Sequence, residues 1–208
     1  MTRRLLVATR NQGKILELRQ LLVATVDVEL VDLEEAGVQL EVPETATTFA
    51  QNATLKALGY AEASGMLTLA DDSGLEVDAL DGAPGVHTAR YGGPGLTHEE
   101  RYLRLLEELR GVEWEARTAR FWAVTALARP GELLGTARGK CEGMIALRPA
   151  GKYGFGYDPV FYLPELDKTM AQLTPDEKQV LSHRARAIAA TLPLLKRMLA
   201  QQEDAPDK

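Results

Sequence analysis

Apolar positions along this chain follow two periods, and they alternate between them. Residues 3–8, RRLLVA, form a short apolar run that predicts a strand. Ile15, Leu18, Leu21 and Leu22 then recur at helical spacing and predict a helix. Residues 26–32, VDVELVD, alternate and predict a second strand. A loop holding Glu41, Pro43 and Glu44 leads to Thr47 or Thr48, either of which can cap a helix to about Ser64, with Gly65 as its stop. Residues 66–70, MLTLA, read as a buried strand that ends at two adjacent acids, Asp71 and Asp72. Glycine and proline shape residues 80–95 into a loop. Thr97 and Glu100 form a capping box ahead of Tyr102, Leu105, Leu106 and Leu109. Residues 115–128 and 132–147 flank RPGE as a long antiparallel hairpin. GKYGFGYDPVFYLP (151–164) is a glycine-aromatic loop running into a strand. Thr174, Pro175 and Glu177 open a helix, Ser182 caps a second segment, and residues 201–208 read as a frayed tail. The pattern predicts a mixed α/β protein, a mixed twisted sheet with flanking helices, whose ligands sit outside the carboxyl ends of strands.

Composition narrows the class. The chain has 208 residues, 45% hydrophobic and 26% charged, as in soluble globular proteins. Its net charge of −6 disfavours a nucleic-acid-coating role, because such proteins carry a basic face. A single cysteine, Cys141, rules out an internal disulfide and argues against structural zinc. The opening MTRRLLVATRNQGK is too briefly apolar for a secretory signal, and no run approaches a membrane span. A cytoplasmic protein with neither nucleic-acid nor membrane partners is expected. Arginine outnumbers lysine sixteen to eight, a bias that suits either a thermophile or a GC-rich genome. Only two asparagines occur, Asn11 and Asn52, so each invites a specific role.

Four stretches carry candidate chemistry. Thr9, Arg10, Asn11, Gln12, Gly13 and Lys14 join the first strand to the first helix, where backbone N–H groups bind anions and Gly13 allows a tight turn. This is not a Walker A loop, because its glycine spacing differs and Ile15 follows the lysine. Taken alone it reads first as a turn with a polar cap, and only second as an anion site. The adjacent acids Asp71 and Asp72 need a cation or strong hydrogen bonds to leave water, and Glu44 can complete a hard-oxygen site for Mg²⁺. Lys56, twelve residues after Glu44, is by itself an ordinary helix lysine. Phe155 or Tyr157 offers a stacking face and Asp158 a polar reader; Lys178, His183 and Arg184 supply charge and donors. His87 and His98 have no partner that the sequence identifies.

Together these stretches resemble one family. ATRNQGK, ETATTFAQNATLKA, LADDSGLEVDALDGAPGVHTARY, GFGYDPVF and LTPDEKQVLSHRARA are similar to the inosine/xanthosine triphosphate pyrophosphatases, in that family's order and over nearly the whole chain. The resemblance implies a two-lobed α/β homodimer with a central nucleotide groove. It implies Mg²⁺-dependent hydrolysis of ITP, dITP and XTP to the monophosphate and pyrophosphate. Thr9 through Lys14 match the triphosphate loop, Glu44 a magnesium ligand, and Lys56 a phosphate contact. Asp72 matches the catalytic acid and a metal residue, and Ser73 a substrate contact. Phe155, Gly156, Tyr157 and Asp158 match the base-binding loop; Lys178, His183 and Arg184 match the remaining nucleotide contacts. Two positions depart from the pattern: Gln51 stands where an acid is frequent, and Arg10 where a small residue is.

Other readings share parts of this pattern. A non-hydrolysing nucleotide sensor would have the same groove, but acids beside a triphosphate repel it unless metal is present. A septum-formation-type nucleotide pyrophosphatase would prefer pyrimidine or modified bases, whereas SHR and GFGYDP favour purines. The aspartic-protease reading of DSG lacks a second such loop.

Overall fold

The computed structural model describes residues 3–203. Seven strands form one mixed sheet in the order β2-β1-β3-β4-β5-β6-β7. They are β1 (Arg4–Val7), β2 (Glu29–Asp32), β3 (Thr68–Val77), β4 (Thr118–Arg129), β5 (Glu132–Ile145), β6 (Phe161–Leu163) and β7 (Lys168–Thr169). The helices are α1 (Gln12–Val23), α2 (Phe49–Ser64), α3 (His98–Glu108), α4 (Pro175–Leu181) and α5 (His183–Glu203). The mixed α/β architecture expected from the sequence is therefore present. No helix among the described residues is long and apolar enough to cross a membrane.

The chain divides into two compact units. The first contains the described residues up to Asp72, Ala123–Gly139 and those from Arg186 onward; the second contains Ser73–Trp122 and Lys140–Ala185. The chain passes from one unit to the other inside β3, β4, β5 and α5.

In the first unit β1 lies between two parallel partners. Val7 pairs with Asp32 of β2 and with Leu69 of β3. The crossover through α1 leads from β1 to β2; the one through α2 leads back past β1 to β3. Right-handed crossovers in opposite directions put the two helices on opposite faces of the sheet. Side-chain parity agrees. Leu67 and Leu69 of the β3 segment cluster with Leu5, Val7, Leu18 and Leu22, together with Ile188 and Leu195 of α5. Thr68 and Ala70 are equally buried but stand outside that cluster, as the alternation of a strand requires.

β3 runs through the acids instead of ending at them. Its ten residues include Asp71, Asp72 and Ser73, so the expected stop after residue 70 is corrected. Adjacent strand residues point to opposite faces, which separates the two carboxylates and removes the repulsion that sequence adjacency suggests. β2 is shorter than expected, starting at Glu29, because Val26 and Val28 pack on the core without joining the ladder.

The second unit has its own core, with Leu75, Leu105, Leu109, Phe121, Phe161 and Met170 among its buried members. β6 pairs antiparallel with β5 and with β7. Capping is as the sequence predicts. Thr48 rather than Thr47 caps α2, Gly65 ends it in the left-handed conformation (φ 70°), and both capping boxes are present. The Ser182 hydroxyl accepts from Ala185 N (3.1 Å) at the start of α5. Of the expected tail, residues 201–203 continue α5 and the remainder lies outside the described residues.

Leu69 is fully buried against both α1 and α5, so Leu69→Ala leaves a cavity in a shared core. The expected loss is about 2–5 kcal/mol of unfolding free energy, read from the urea midpoint at unchanged slope.

Candidate active site

The residues singled out by sequence fall into two groups, one in each unit. In the first unit, β1 stops at Val7 opposite Leu69 while β3 continues, so Asp71 and Asp72 extend beyond the end of β1. The loop from Thr9 to Lys14 starts at that end. Asn11 is extended (φ −76°, ψ 110°) and caps α1: its Oδ1 accepts from Lys14 N at 3.2 Å. Asn11 N donates in turn to Thr9 Oγ1 at 3.2 Å. The turn is thus made by Asn11. Gly13 is the second residue of α1 and is not among the glycines at positive φ, which corrects its expected role. The first turn of α1 carries no acid, so its positive end is free of an internal counter-charge.

The parity of β3 delivers each acid to a different lysine. Asp71 faces the α1 side, where Lys14 Nζ lies 2.8 Å from its Oδ2. Asp72 faces the α2 side, where Lys56 Nζ donates to its Oδ1 at 2.7 Å. Lys56 also donates to Glu44 Oε1 (2.8 Å) and to the Asp71 carbonyl (2.8 Å). An ammonium has three hydrogens, and all three are engaged by the protein. Lys56 therefore joins the Glu44 and Asp72 carboxylates to one point.

Burial disfavours the Lys56 charge, but Asp72 and then Glu44 outweigh it and raise its pKa. Burial also pushes the Asp72 carboxyl above the usual carboxylate range; Lys56 and Lys14 oppose this, and Glu44 adds to it. The two directions are compatible because two acids share one lysine. Gln51 is exposed at the start of α2, its backbone N–H donating to Thr48 Oγ1 (3.2 Å). Arg10 donates to the carbonyls of Val38 (2.9 Å) and Leu40 (3.1 Å). A cavity beside the loop is lined by Thr9, Arg10 and Gln12 together with Asp32 and Glu34, so that flank is partly acidic.

In the second unit, Gly154 and Gly156 both have positive φ (74° and 64°) and fold the aromatic loop on itself. A Cβ at Gly154 would stand 2.0 Å from Asp158 Oδ2, so only glycine fits there. Asp158 Oδ2 accepts from Phe155 N (2.8 Å) and from Lys178 Nζ, an ion pair in which both side chains are buried. Phe155 is half-buried, with Lys178 Nζ 5.2 Å and the Arg184 guanidinium 5.6 Å from its ring centre. Tyr157 is instead a core residue, its hydroxyl donating to the Thr88 carbonyl at 3.1 Å. Of the two stacking candidates, Phe155 alone presents an accessible ring.

Arg184 is buried and donates to Ser73 Oγ at 3.0 Å. His183 stacks on Phe121, with ring centres 4.7 Å apart and 15° between planes. His98 lies 6.3 Å from Phe155, and His87 accepts from Arg90 Nε (3.2 Å). The two groups adjoin in the chain at the Asp72–Ser73 peptide bond. Sequence reading missed Asp71 as the partner of Lys14; the one available signal was the parity of a strand that continues past residue 70.

Lys56→Met would leave Asp72 buried without its counter-ion. Breaking a buried pair from one side costs about 3–5 kcal/mol, and chemical denaturation should show a loss of that order.

Comparisons with known proteins identify the family. The Ham1 family model matches residues 5–194. A dITP/XTP pyrophosphatase of Bacillus subtilis is 45% identical over 190 residues, 91% of this chain and 96% of that protein. One from Gloeobacter violaceus is 50% identical over 192 residues, covering 92% and 94%. The solved structure of a HAM1 protein from Coxiella burnetii superposes with a TM-score of 0.84 at 37% identity, covering 94% of this chain and all of that one. The motif order, the sheet and the match along nearly the full length lead to one conclusion: the chain belongs to the Ham1 family.

Proposed function

We propose that this protein hydrolyses non-canonical purine nucleoside triphosphates, dITP, ITP and XTP, to the monophosphate and pyrophosphate. The observation that carries the reading is Lys56 holding Glu44 and Asp72 together, with Lys14 at the start of α1 paired to the adjacent Asp71. The phosphates take the Thr9–Lys14 loop; the base takes Phe155, with His183 and Arg184 as donors to its 6-oxo group. Inosine and xanthine present an acceptor at that position, and adenine presents a donor.

The residues of the first unit fit Mg²⁺. Two lysines face three carboxylates there, so a bound triphosphate needs a further cation. Mg²⁺ commonly takes one or two carboxylates and fills its shell with phosphates and water. Glu44 and Asp72, gathered on one lysine, supply such a pair and would hold it. When bound, the ion would neutralise phosphate charge and lower the pKa of a bound water.

Asp72 acts as the general base. One of its oxygens is bound by Lys56, which fixes the carboxylate plane, and the other accepts the proton of the attacking water. Water attacks the α-phosphorus, its bond to the bridging oxygen breaks, and pyrophosphate leaves. Lys14, paired with Asp71, keeps a positive group at the phosphate loop. The reading extends to a cytoplasmic homodimer, which light scattering on the purified protein can test.

The test is product release from a panel of ITP, dITP, XTP, GTP and ATP, with and without Mg²⁺. Pyrophosphate from the first three is expected; orthophosphate plus diphosphate would mean attack at the γ-phosphorus. Binding without turnover would indicate a sensor, and a pyrimidine preference the septum-formation type. Asp72→Asn should lower kcat by about 10²-fold or more while nucleotide still binds. Near-normal turnover in that variant would assign the base elsewhere.

A further inference from the structure

Residues 38–46, between β2 and α2, carry Glu44 and belong to no helix or strand. The segment is nevertheless ordered at every second residue. From Glu41 to Ala46 the odd positions are exposed and the even ones half-buried. The even positions are also the fastened ones. Val42 N donates to the Tyr60 hydroxyl (3.2 Å), Glu44 accepts from Lys56 (2.8 Å), and Ala46 N donates to Asn52 Oδ1 (3.0 Å). Val38 and Leu40 are tied by Arg10 through their carbonyls.

The three partners on α2 are spaced by four. Asn52, Lys56 and Tyr60 therefore line one helical face, about 6 Å apart along the axis. Two residues of extended chain advance roughly 6.6 Å, nearly the same step. The arm and the helix run antiparallel in a register of two residues to four. Gly59 makes the approach possible: a Cβ there would stand 2.7 Å from Val42 Cγ2. Asn52 is fully buried and Tyr60 is 4% exposed, so neither is placed to meet a solvent-borne substrate.

We propose that Asn52 and Tyr60 are positioning residues for Glu44. They set the register of the arm on α2, and the register sets where the Glu44 carboxylate stands beside Asp72. The inference rests on Glu44 being a magnesium ligand, as proposed above. It also gives Asn52, one of the chain's two asparagines, its role.

Tyr60→Phe tests this by removing one acceptor oxygen and keeping the ring; Asn52→Ala tests it by removing the acceptor of Ala46 N. Two quantities are read on the full chain. The first is amide hydrogen exchange across residues 41–46 under native conditions. The second is Mn²⁺ affinity, from paramagnetic resonance titration with imidodiphosphate present, with Glu44→Gln as reference. Losing one hydrogen bond should speed exchange in the arm by about two- to tenfold and weaken Mn²⁺ by a similar factor. The value of kcat at saturating Mg²⁺ should change less than the Mg²⁺ concentration needed to reach it. If both variants melt earlier but keep wild-type exchange and wild-type Mn²⁺ affinity, the residues are merely structural and the proposal is overturned. It is also overturned if Glu44→Gln weakens Mn²⁺ and Tyr60→Phe does not. If exchange rises but Glu44→Gln leaves Mn²⁺ affinity unchanged, the register role stands and the metal assignment of Glu44 fails instead.

Discussion

Lys56 is an ammonium buried at 7% exposure, and a charge so placed must be met by partners on every donor. That demand organises the first unit. It requires β3 to continue past its apolar run, so that Asp72 and the Asp71 carbonyl can reach α2. It requires the segment before α2 to lie along that helix and bring Glu44 in from the side. It also lets the adjacent acids coexist. Asp71 and Asp72 are neighbours in sequence but opposite in facing, each with its own lysine on its own side of the sheet. An arrangement that looks repulsive in one dimension is nearly neutral in three.

The second unit repeats the device with different consequences. Lys178 is buried against Asp158, and the same aspartate oxygen receives the Phe155 amide. The pair therefore shapes the aromatic loop from within, and the absence of a side chain at Gly154 leaves room for it. Arg184 is similarly enclosed, with one nitrogen on Ser73 and its plane near Phe155. In both units lysines that look like free positive charge in the sequence are committed to aspartates.

Much of this was legible in the sequence, for identifiable reasons. Helix ends were, because caps are local: Thr97 with Glu100, Thr174 with Glu177 and Gly65 act within one turn of themselves. That Glu44 and Asp72 share one place was, because a hard-oxygen site needs both; Lys56 joins them in the structure. The course of β3 was not, since two carboxylates in a strand read as its end until the lysines that neutralise them are placed. Tyr157 was not separable from Phe155, because two aromatics two residues apart differ only in which way the glycines turn them. Gly13 suggested a turn that a capping asparagine makes instead. Tyr60 gave no signal and Asn52 only its rarity, since their partners are the backbone of a segment without regular structure.

The two-to-four register between the Glu44 arm and α2 also bears on how such a chain can drift over generations. Glu41, Pro43 and Thr45 are exposed, and none of the three hydrogen-bonded rungs is made by their side chains. Length is another matter. Adding or removing one residue between Val38 and Ala46 would exchange the inward and outward sets at once and carry the carboxylate to the solvent side. Adding two would restore the facing but shift every rung by a turn of the helix. The register therefore constrains the arm's count of residues more tightly than the identity of its outward side chains.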